Sequence, residues 1–171
     1  MIAILEKLNE RIGQACGWLV LVMALLGAVN AVLRYLSGVL QKNLISNAYS
    51  EAQWYLFAAV FLLAAPYVLQ QNKHVRVDVL YSKFSPRKQA FVDLFGTVLF
   101  LIPFCLFGIW ASWDFVGLSW AAQEVSSDSG GLDRFPVKAL IPIAFFLLLL
   151  QGFCTAIRKL EFLFTKKEDD S

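Results

Sequence analysis

The stretch from Ala48 to Tyr81 reads AYSEAQWYLFAAVFLLAAPYVLQQNKHVRVDVLY. Glu51 and Gln53 stand near its start beside Trp54 and Tyr55, and after Glu51 no charge appears until Lys73. An α-helix needs about 20 apolar residues to cross about 30 Å of hydrocarbon. A water-facing helix would show one polar face, and residues 54–69 show none. The stretch therefore reads as a membrane span. It enters at an aromatic end that carries a carboxylate and leaves at a basic one.

The whole chain has the same character. Its 171 residues are 58% hydrophobic and 16% charged, against about 45–50% and about 25% in soluble domains. That balance fits a single domain held almost entirely in the bilayer. The net charge of +2 is small and its residues are dispersed, which excludes the clustered basic face of a nucleic-acid binder.

Working outward, residues 1–12 have apolar positions at helical spacing with Glu6, Lys7, Asn9, Glu10 and Arg11 between them. This predicts a short interfacial helix. It is not a signal peptide, because no basic segment precedes the apolar run and no small-residue cleavage site follows. Spans are expected at 15–36, 48–69, 89–111 and 136–157, followed by a cytoplasmic tail, 158–171. Pro66, Pro103 and Pro142 fall inside the last three, where neighbours must satisfy the freed carbonyls. Ser85-Pro86 reads as a helix start. The third helix pattern continues to about Gln123, a length of about 50 Å. His74 to Val79 alternates polar and apolar, which predicts an extended surface segment. Glu124 to Asp133, EVSSDSGGLD, predicts a turn.

The fold class is thus all-α integral membrane: four transmembrane helices plus the short N-terminal helix. Four spans place both termini on one side. The N-terminal segment, the second link and the tail hold eleven Lys and Arg, and the other two links hold four. Both termini are therefore expected in the cytoplasm. Trp54, Tyr55, Trp110, Trp113 and Trp120 then form an outer aromatic belt. Cys16, Cys105 and Cys154 all fall within or at the edge of spans and are expected to be free thiols.

Little chemistry is available. His74 is the single histidine, which excludes a haem held by two histidines of this chain. No Cys/His cluster has metal spacing and no phosphate loop is present. No catalytic centre and no cofactor are expected. The span centres lack ionisable groups, which also weighs against an autonomous transporter, whose substrate site would lie near the midplane. Two alternatives stay open: a membrane anchor for a respiratory enzyme, and a small autonomous exporter.

Four features together resemble the small membrane subunit of tripartite ATP-independent periplasmic (TRAP) transporters. Arg34-Tyr35 closes the first span, and Tyr49-Ser50-Glu51-Ala52-Gln53-Trp54 opens the second. His74-Val75-Arg76-Val77-Asp78 follows the second span. The last loop and span read Ser129-Gly130-Gly131-Leu132 through Pro136, Lys138 and Ile141-Pro142 to Leu150-Gln151. The chain departs from many members in having Tyr49 and one glutamate, Glu51, where they carry Trp and paired acids. The resemblance implies an inner-membrane subunit without enzymatic activity. Its implied partners are a large membrane subunit and a periplasmic binding protein that captures an organic acid. Sodium ions that drive uptake are then expected in the large subunit and not here. The small subunit would brace the large subunit's scaffold.

Particular residues carry these expectations. Arg34 and Glu51 are expected to pair across the first hairpin, directly or through Asn30. Gln53, Trp54, His74, Arg76, Asp78, Trp110, Trp113 and Trp120 are candidates for the large-subunit interface. Trp110, Trp113 and Trp120 share one helical stripe. Asp128, Asp133 and Arg134 are candidates for docking the binding protein.

Overall fold

Apolar side chains at almost every position of four long segments leave the backbone one way to satisfy its polar groups in lipid, and each segment forms a helix. The computed structural model describes residues 2–42, 46–71, 81 and 83–168. Among these, α1 spans Ile2–Leu40 and α2 spans Asn47–Gln70. α3 runs Pro86–Ala121 and α4 runs Phe135–Glu168. All four have stretches long and apolar enough to cross a membrane.

The ends follow the local chemistry. Ser46 caps α2, its hydroxyl accepting from the Ala48 N–H at 3.3 Å. Ser85 precedes Pro86 at the first position of α3, as the sequence predicts, but its hydroxyl makes no capping bond. Instead the Gln89 amide donates back to the Tyr81 and Phe84 carbonyls at 3.0 and 3.2 Å. Gln41 and Gln123, with φ of 51° and 46°, take the left-handed conformation just beyond α1 and α3.

Small residues set the packing. α1 and α2 run antiparallel. A Cβ on Gly13 would lie 2.6 Å from the Tyr67 ring, and one on Gly27 would lie 2.8 Å from the Gln53 amide. Asn30 then donates to Ser50 Oγ at 3.2 Å, so each step along α1 is matched by an equal step back along α2. α3 buries Cys105, Gly108, Ser112 and Ser119, spaced to lie on one face. A Cβ on Gly108 would meet the Phe145 ring of α4 at 2.8 Å. Such small residues are what let membrane helices approach. α4 packs along both α2 and α3, while α1 packs along α2 and only touches α4.

Three differences from the sequence reading have physical causes. First, residues 2–12 are not a separate helix: α1 continues without a break through Gly13. Asn9 and Gln151, 4% and 3% exposed, share a 2.8 Å hydrogen bond, and Glu6 pairs with Arg158. Two residues of the polar set that suggested an interfacial helix, Glu6 and Asn9, are used against α4, while Lys7, Glu10 and Arg11 stay exposed. Second, α3 contains a π-helical turn, Thr97–Leu101, just before Pro103. Proline gives no N–H to the carbonyl four residues back, and a wider turn accommodates its ring. Third, helix extends beyond the expected limits, through Gly38 to Leu40 and through Arg158 to Glu168. The great length expected for α3 is found: 36 residues, about 54 Å. The HVRVDV segment lies outside the described residues.

Candidate functional site

Polar side chains gather at the two ends of the bundle. At the end where α2 starts and α3 stops, residues 122–134 form a tight loop. The Arg134 N–H donates to the Glu124 carbonyl at 2.9 Å and the Ser126 N–H to the Leu132 carbonyl at 3.1 Å. Gly130, at φ 73°, makes the reversal possible. Glu51, one turn into α2, is buried beneath this loop at 5% exposure. Its carboxylate accepts from the Ser126 hydroxyl and from the Leu132 N–H. A Cβ on Gly131 would lie 2.7 Å from Glu51 Oε2, so only glycine lets the loop settle there. Tyr55 and Asn47 of α2 add bonds to the Leu132 and Ser129 carbonyls, at 3.5 and 3.1 Å.

A second carboxylate ties the loop to α4. Glu124 accepts from Lys138 Nζ and, at 2.7 Å, from Ser119 Oγ, with Arg134 Nη1 3.9 Å away. The Lys138 and Ser119 hydrogen bonds, together with the nearby positive charges, hold the Glu124 carboxyl below the usual carboxylate range. Lys138 Nζ also sits 4.2 Å from the centroid of the Phe115 ring.

The end where α1 starts and α4 stops has its own pairs. Asp93 of α3 accepts from Lys159 Nζ at 2.7 Å and from the Tyr81 hydroxyl at 2.9 Å. Glu6 and Arg158 pair nearby. Between the two ends the buried surface is apolar, apart from small hydroxyls bonded to their own helix and the Asn9–Gln151 pair.

The structure separates the sequence-predicted residues. Arg34 and Glu51 do not pair: Arg34 is exposed, and Glu51 faces the 122–134 loop instead. Asn30 does not bridge them either: its amide donates to Ser50 across the hairpin. Gln53 is packed against Gly27 inside the α1–α2 contact and is not on an open face. Trp110 and Trp113 are 74% and 69% exposed, turned away from the buried small residues of α3. Trp120 continues that stripe but sets its ring edge-on to Phe135, 4.2 Å between centroids. Trp54 is exposed and stands on α2 beside Phe57 and Phe61, whose rings stack at 6.4 Å. Asp128 and Asp133 are exposed on the loop, while Arg134 donates to Ser127 Oγ at 3.3 Å. His74, Arg76 and Asp78 lie outside the described residues. The three cysteines are free and buried.

Sequence reasoning missed the Glu51 latch, the Glu124–Lys138 pair and the Asp93–Lys159 pair. One signal was available: a carboxylate at a helix start needs donors, and a Ser-rich loop with paired glycines exposes backbone N–H groups.

Between α2, α3 and α4 lies an apolar groove of about 570 Å³, floored by Ala64, Ala65 and Ala144 and flanked by Phe61 and Phe104. Long apolar helices, ion pairs gathered at two ends and an aromatic outer face define a multi-pass membrane protein. A family model described as "Tripartite ATP-independent periplasmic transporters, DctQ component" matches residues 23–162. This is most of the chain, and the chain belongs to that family: it is the small permease subunit of a TRAP transporter, in the inner membrane. Comparisons with curated proteins and with solved structures gave no match.

Proposed function

We propose that this subunit braces the scaffold of a large transport subunit during sodium-driven uptake of an organic acid delivered by a periplasmic binding protein. The sodium sites belong to the large subunit in this reading, and no step of catalysis falls to this chain. Both termini face the cytoplasm, on the strength of the basic residues at that end. The 122–134 loop then faces the periplasm, where Asp128 and Asp133 offer exposed carboxylates to the binding protein.

One observation carries the bracing role. The carboxylates Glu51, Glu124 and Asp93 are bonded within the chain near the two ends, and the buried Asn9 and Gln151 amides bond each other, while Trp110 and Trp113 project from α3. A subunit that moved substrate would need polar groups open at mid-depth. A subunit that docks needs large aromatic anchors on its outside. The test is co-purification. Changing Trp110 and Trp113 together to serine should weaken retention of the large subunit at least tenfold and leave this chain inserted. Unchanged retention and uptake would assign the stripe to lipid. The purified chain alone in liposomes should move no organic acid.

A further inference from the structure

Where α3 begins, an open cleft of about 450 Å³ is lined by Phe84, Ser85, Arg87, Lys88, Phe91, Val92 and Leu163. Its order from the helix end inward is cation, then hydrocarbon. Arg87 and Lys88 stand in the first turn of α3, and Phe91 and Val92 lie four residues on, directly beneath them. Phe91 and Val92 are 61% and 44% exposed. Leu163 of α4 closes the far wall.

The charges around this cleft are unequal. Arg158 and Lys159 are close by, but Glu6 and Asp93 neutralise them. Arg87 and Lys88 are exposed and form no ion pair among the described residues. Two cations that no described carboxylate neutralises therefore sit above an apolar trough at the end of a membrane-crossing helix. The complementary molecule has an anionic head and a hydrocarbon body joined at that same boundary.

We propose that this cleft is a binding site for one anionic phospholipid. Its phosphodiester sits between Arg87 and Lys88, and an acyl chain runs down Phe91 and Val92 against Leu163. Basic pockets between membrane helices favour such headgroups, and Arg supplies a planar donor set that matches a phosphate. The site requires only that α3 crosses the membrane, so it stands apart from the bracing role.

The experiment uses the full chain in detergent, with bound lipid counted by native mass spectrometry. Phosphatidylglycerol and phosphatidylcholine are added at equal concentration. The expected result is one retained phosphatidylglycerol, preferred about tenfold or more over phosphatidylcholine. Arg87→Gln with Lys88→Gln should abolish the preference. Lys7→Gln with Arg11→Gln, which removes the same charge at the same end of the bundle, should leave it intact. Arg87→Lys, which keeps the charge, should retain most of it. Inorganic phosphate should not displace the lipid, since it lacks the acyl chain. Equal loss in both double variants would show diffuse attraction and overturn the proposal. So would no loss in either, or displacement by phosphate alone.

Discussion

Asn9 and Gln151 each bury an amide whose partner is the other, 2.8 Å away and nearly out of reach of solvent. Interhelical hydrogen bonds of this kind are worth about 0.6–1.7 kcal/mol in membrane proteins. Replacing one partner strands the other, whereas replacing both by apolar groups removes the debt. Gln151→Leu alone should therefore destabilise the bundle by about 1–2 kcal/mol, and Asn9→Leu with Gln151→Leu should cost less than the sum of the singles. Unfolding in detergent for the four members of the cycle checks this. Glu124 gives a pH prediction. Its folded-state pKa is depressed, so its contribution is present above the unfolded carboxylate value and is lost as pH falls through the folded one. Acidification well below the ordinary carboxylate range should loosen the loop from Lys138. Glu124→Gln should show weaker attachment at neutral pH and a flatter acid response, read by hydrogen exchange of residues 122–134. Sequence could name Glu51 as important but not its partners. A charge four residues from a helix start has several faces to choose from, and only the Gly13 and Gly27 contacts fix which one turns toward α1.

Elements were more legible than residues. Apolar length and the Ser-Pro start marked four helices, because backbone satisfaction in lipid leaves no other form. The π turn was not legible. Proline marks where a hydrogen bond is lost, but whether the helix kinks or widens depends on packing on both sides. Here Asp93–Lys159 before the turn and Gly108–Phe145 after it both hold α3 against α4. Gly108→Leu should separate the two helices and destabilise by about 1–3 kcal/mol, measured as a lower melting temperature in detergent. The loop has a comparable dependence. Gly131→Ala places a methyl group against Glu51 and Ser126, so cleavage within 122–134 by an added protease should accelerate while the helices stay protected. An unchanged cleavage rate would mean that Glu51 does not hold the loop closed.

At the scale of the whole molecule, the chain is a bundle tied at both ends and, apart from the Asn9–Gln151 pair and small hydroxyls, apolar between. The end pairs lock helix against helix: Glu51 joins α2 to the loop before α4, Glu124 joins that loop to α4, and Asp93 joins α3 to α4. What stays open is the outer aromatic surface, and the central claim is that the Trp110–Trp113 face carries the large subunit. The most direct measurement places a photo-reactive phenylalanine analogue singly at position 110, 113 or 18 in the assembled complex. Trp18 is 71% exposed on α1, far in sequence from the proposed interface, and serves as the comparison site. Illumination should join positions 110 and 113 to the large subunit, with position 18 joined only to lipid. Adducts to the large subunit from position 18 and none from 110 or 113 would contradict the claim and move the interface to α1.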